Sequence, residues 1–116
     1  MPRLKTGLWV RATLRRFNDA GSSAMVLNKG DEDAGAVLIV LEDTARNQVI
    51  LREDGSAWVR TNLLNDETIN EYLMRQMRYD PDLWVIEINV PDCSVLIEKD
   101  LGSRTSDDDE PEELFW

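Results

Sequence analysis

Ala36-Val37-Leu38-Ile39-Val40-Leu41-Glu42 is the longest apolar run of the chain, closed by one acid. Its length suits a strand and falls short of an ordinary helix, and its β-branched members favour extended backbone. A strand that is apolar at every position has both faces covered, so residues 36–42 predict the central strand of a sheet. Upstream, Lys29-Gly30-Asp31-Glu32-Asp33-Ala34-Gly35 is a loop rich in turn formers, and residues 23–28 read as a short strand before it. Downstream, residues 48–52 form the next strand, with Val49 and Leu51 on one face. Asp54-Gly55 makes a turn, and residues 57–61 return it with Trp58. Together these segments read as an antiparallel meander.

Two helices complete the pattern. Thr6 is placed to cap a helix beginning near Gly7; Val10, Leu14 and Phe17 follow at helical spacing, and Gly21 is a good stop. Asn65 or Asp66 is placed to cap a second helix, with Glu67 in its first turn. Ile69, Tyr72, Leu73, Gln76 and Met77 share its apolar face. Tyr79-Asp80-Pro81 ends it, because the residue before proline avoids helical angles. Residues 83–90 alternate as a strand, with Trp84, Ile86, Ile88 and Val90 on one face and Val85, Glu87 and Asn89 on the other. Val95-Leu96-Ile97 offers an edge strand. Trp9, Trp58 and Trp84 sit in apolar patterns and read as core.

The chain has 116 residues, which suits one domain. Histidine is absent, which removes Ser-His-Asp and Cys-His catalysis and histidine metal sites together. Cys93 is the single cysteine, so no disulfide forms within the chain, as suits a reducing compartment. No signal-like or membrane-length apolar segment is seen, and the expected location is the cytoplasm. The net charge of −10 is uneven. Residues 100–116 hold seven of the 23 acids and one of the 13 bases, whereas the first 16 residues hold Arg3, Lys5, Arg11, Arg15 and Arg16 with no acid. Residues 1–99 are therefore read as the folded domain and residues 100–116 as an acidic, mobile tail: clustered like charges without apolar partners cannot offset the entropy cost of ordering.

Three stretches resemble a small alphaproteobacterial family known only as a domain of unknown function. They are Lys5-Thr6-Gly7-Leu8-Trp9-Val10, Gly30-Asp31-Glu32-Asp33-Ala34-Gly35-Ala36-Val37 and Tyr79-Asp80-Pro81-Asp82-Leu83-Trp84-Val85-Ile86-Glu87. The resemblance spans roughly residues 3–90 and implies a bacterial, cytoplasmic, single-domain protein. It brings no activity, cofactor or catalytic residue, and the acidic tail stands outside its pattern.

The tail is the most informative candidate site. Asp107, Asp108 and Asp109 precede Leu114, Phe115 and Trp116. The segment is similar in composition to the acidic tip of bacterial single-stranded-DNA-binding proteins, from which it departs in length and in ending on Trp. Exposed apolar residues seek a pocket, and adjacent acids steer them toward a basic rim. The plainer alternative is a solubilising tail whose aromatic end packs on its own domain. Arg11, Arg15 and Arg16 form a basic face on the first helix; a phosphate contact is one reading, but overall acidity weighs against nucleic acid, and the chain's own tail is another occupant. Asp31, Asp33 and Glu42 resemble a calcium loop at its first, third and twelfth positions, but Gly35 holds the fifth. Ala36 stands where the sharp turn needs glycine, so that loop is rejected and Asp31 and Asp33 stay as weak divalent-metal candidates. Cys93 reads as an inert thiol.

The expected fold is a two-layer α+β domain with an antiparallel sheet of about four to five strands and two helices against it. The expected function is a non-enzymatic adaptor or regulator that binds a protein partner through its tail, without a cofactor or membrane contact. The alternative is a carboxylate and divalent-metal enzyme using Asp31, Asp33 and Asp80. A homodimer paired edge to edge fits either.

Overall fold

The computed structural model describes residues 5–55, 57–61, 68–94, 97 and 101–102. The elements run α1 (Thr6–Asp19), β1 (Ala24–Asn28), β2 (Val37–Glu42), β3 (Gln48–Asp54), β4 (Ala57–Thr61), α2 (Ile69–Tyr79) and β5 (Trp84–Asn89). The sheet has five strands in the order β1-β5-β2-β3-β4, so β2 is its centre, as its apolar run requires.

The meander holds for β2, β3 and β4, which pair antiparallel in sequence order. Gly55, at φ 64°, supplies the left-handed backbone that the tight β3–β4 turn needs. The meander does not extend to β1. That strand pairs antiparallel with β5, and β5 lies parallel to β2. The physical reason is coverage: β2 is buried on both faces and along both edges, and the fully apolar Trp84-Val85-Ile86 stretch fills the slot beside it better than the half-exposed β1. The sheet is thus mostly antiparallel, and the fold class is α+β.

The helices lie on opposite faces of the sheet rather than side by side in one layer. Trp9 and Val10 of α1 pack with Val37, Ile39 and Leu41 of β2, Leu51, Trp58, Trp84, Ile86 and Ile88. Tyr72 and Leu73 of α2 pack with Leu38 and Val40, the alternate residues of β2, together with Ile50, Leu83 and Val85. The period of two along β2 feeds both cores. Burying a side chain such as Ile39 contributes about 1.5–3 kcal/mol. Trp9 and Trp58 stack with ring centroids 5.5 Å apart.

The helix boundaries differ from the sequence reading in their caps. Lys5, not Thr6, is the N-cap of α1. Thr6 is fully buried, and its hydroxyl donates to the Gly35 carbonyl at 2.8 Å, tying the helix to the 29–35 loop. At the other end Gly21 adopts φ 97°, with Gly21 N–H donating to Asn18 O at 3.1 Å and Ser22 N–H to Phe17 O at 2.9 Å. That pair of bonds is a Schellman stop. Asn65, Asp66 and Glu67 lie outside the described residues; Thr68 caps α2 in a reciprocal box with Glu71. Val95 and Leu96 also lie outside them, and Ile97 is not in a strand but packs against the α1-side core.

Candidate functional site

The three sequence stretches singled out above meet at one end of the sheet. Gly7 N–H donates to Glu32 O at 2.8 Å, Asp31 N–H to Asp82 O at 3.0 Å, and the Trp84 indole to Asp31 O at 2.6 Å. The loop therefore sits clamped between the start of α1 and the turn that follows α2. Gly30 and Gly35 permit the close approach: a Cβ on either would overlap the Asp82 carbonyl oxygen.

The acids of this loop have partners. Asp31 Oδ2 accepts from the Asp33 and Ala34 N–H groups at 3.1 and 2.9 Å. Asp33 pairs with Lys5 at 3.7 Å, and Asp80 Oδ1 accepts from Asp82 N–H at 3.0 Å. Glu32 accepts from Arg11 at 3.1 Å, and that hydrogen bond holds its carboxyl below the usual range. Among the described residues no group of three or more Asp, Glu or Cys side chains is arranged to hold a metal ion. Asp31 and Asp33 are close, but the structure spends Asp31 on the turn itself.

The basic face expected on the first helix is present. Leu8, Arg11, Ala12, Arg15, Arg16 and Asp19 share the outer side of α1, opposite Trp9 and Val10. Leu8, at its N-terminal end, is 52% exposed. Arg11 reaches back to Glu32, Arg15 approaches Asp19 at 3.9 Å, and the Arg16 guanidinium lies 5.3 Å from the Phe17 ring centroid. The face combines cations with an uncovered apolar side chain.

Two features escaped the sequence reading. Asp43 is buried where β2 leaves the sheet. Its carboxylate accepts from the backbone of Ala45, Asn47 and Cys93 and from the Asn47 side chain. The bond from Cys93 leads the causes that lower its pKa. An Asp at the end of an apolar run, with Thr-Ala-Arg-Asn after it, is the turn signal that was available. The Cys93 thiol donates to Asn47 O at 3.2 Å, and burial raises its pKa, which suits an inert thiol. The second feature is the root of the tail. Leu101 is buried in the α1-side core, and the Trp58 indole donates to Gly102 O at 2.8 Å. Asp107, Asp108, Asp109, Leu114, Phe115 and Trp116 lie outside the described residues.

The fold and this site define a small α+β protein with a clamped acidic loop and a basic helix face. A family model described as "Protein of unknown function (DUF1491)" matches residues 4–98, and the chain belongs to that family. It is similar to a crystal structure of a DUF1491 family protein from Caulobacter crescentus: 33% identity, 78% of this chain and 90% of that one covered, TM-score 0.68. It also resembles a solution structure from A. tumefaciens, at 25% identity over 97% of this chain and 100% of that one, with a TM-score of 0.67. No curated protein matches the chain. Among the described residues no helix is long and apolar enough to cross a membrane.

Proposed function

We propose that this chain is a non-enzymatic adaptor or regulator that binds a protein partner through residues 107–116. The reading is carried by the charge division, seven acids against one base in residues 100–116, ahead of Leu114-Phe115-Trp116. The anchored root supports it: Trp58 and the burial of Leu101 fix the start of the acidic segment to the folded body. Acids steer the encounter and the aromatic pair supplies the apolar contact.

The test is a pull-down from cell extract with the full chain and with a chain lacking residues 107–116. Partners retained only by the full chain support the reading, and identical recovery rejects it. The competing metal-dependent enzyme would have to free Asp31 from two backbone donors. A cation bound to the native state alone raises its stability. The adaptor reading therefore expects no thermal shift with Mg²⁺, Mn²⁺ or Ca²⁺.

A further inference from the structure

We propose that the outer face of α1 is the docking site for this chain's own segment 107–116, bound in cis. The inference rests on the tail being a docking segment, and it names what that segment covers before a partner takes it.

Three observations converge. The first is chemical complementarity. The α1 face offers Arg16, together with Arg11 and Arg15, which also contact Glu32 and Asp19, beside Leu8 and Ala12, and the segment offers Asp107, Asp108, Asp109 and Glu110 followed by Leu114, Phe115 and Trp116. In a chain of net charge −10, a basic helix face next to an exposed leucine is the natural seat for an acidic, aromatic peptide. The second is the tether. Leu101 is buried in the cluster that contains Trp9 and Val10 of α1, and Trp58, which stacks on Trp9, holds the Gly102 carbonyl. The tail therefore leaves the body beside the inner side of α1.

The third is reach. The five residues from Gly102 to Asp107 span up to about 17 Å at ~3.4 Å each. A helix with side chains is about 10–12 Å across, so half its circumference is about 16–19 Å. An extended linker therefore brings Asp107 to the edge of the arginine face and the residues after it across that face, at an effective concentration on the order of millimolar. A weak contact is then enough to keep the face occupied, and a partner binding the tail must compete with it.

Backbone amide NMR of the full chain against a chain ending at residue 106 tests this. The docked tail shifts the amides of Leu8, Arg11, Ala12, Arg15 and Arg16 more than those of β1 or α2. A synthetic peptide of residues 103–116, added to the truncated chain, reproduces those shifts, and its affinity falls at least about tenfold from ~0.05 to ~0.5 M salt as the charges are screened. The double variant Arg15→Glu, Arg16→Glu abolishes them; both side chains are exposed, so the remaining spectrum reports that the fold is intact. The shifts of the full chain are the same over a tenfold range of protein concentration. Unchanged α1 amides, shifts centred elsewhere, or concentration-dependent shifts showing a second copy on the face would each overturn the proposal. None of those results bears on whether the tail captures a partner, which the deletion pull-down decides separately.

Discussion

Gly35 and Glu87 show how single residues set the limits of this fold. Gly35 lies where a methyl group would run into the backbone carbonyl of Asp82, and backbone moves less readily than a side chain. Gly35→Ala is expected to cost about 1–3 kcal/mol, the range for forced overpacking, and to lower the melting temperature by several degrees. A melting temperature equal to the wild type's would show that the clamp is loose. Glu87 faces the α2 side of the sheet near Glu42; burial, then the Glu42 charge, raises its pKa. The folded state thus holds this proton more firmly than the unfolded state. Stability falls as pH rises from the unfolded value through the folded one. Glu87→Gln is expected to stabilise the protein at neutral pH by about 0.5 kcal/mol, the ordinary ceiling for such a site. The gain should vanish in melts run below the ordinary glutamate value of 4.5, where both states are protonated. Asp43 works with the opposite sign: its lowered pKa stabilises the fold above the usual aspartate value of 3.8, and that contribution is lost as pH falls below it.

Elements carry the next layer of specification. Thr68 and Glu71 satisfy each other's backbone N–H groups at the start of α2, at 3.1 and 2.8 Å. Thr68→Ala is expected to cost about 1 kcal/mol, read as a lower denaturant midpoint with an unchanged slope. No change in midpoint would mean that packing of Tyr72 and Leu73 alone sets the helix. At the sheet's edge, β1 exposes Met25, Val26 and Leu27. The Asn18 side chain both donates to Ala24 O and accepts from Ala24 N–H at 3.0 Å, as a neighbouring strand would, which blunts the edge against a second copy. The elements themselves were legible because apolar spacing and turn residues are local. The run from Ala36 to Leu41 announced a strand covered on both faces, and the structure places it at the centre. The order of strands was not legible, because β1 and β5 look alike as short runs and only packing decides which sits beside β2. The side of the sheet each helix covers is equally non-local. The cap of α1 failed for a related reason: Thr6 resembles a capping residue until Gly35, 29 positions away, takes its hydroxyl.

At the scale of the molecule, two cores flank one sheet, and charge is distributed unevenly along the chain. Three of the 13 bases, Arg11, Arg15 and Arg16, lie on α1, and six of the 23 acids follow residue 100 with one base among them. The basic face was readable from Arg11 and Arg15 one turn apart. The root of the tail was not, because nothing local to Leu101 and Gly102 points to Trp58. The clamped loop supplies a structural reason for the glycines and acids of the GDEDAG stretch; in the proposed function, recognition belongs to the tail and the α1 face. A photo-reactive benzophenone in place of Phe115, activated in living cells, tests this most directly. A covalent adduct to a second, different protein is expected, with intrachain adducts confined to α1. Adducts found only within this chain's own buried cores would contradict it.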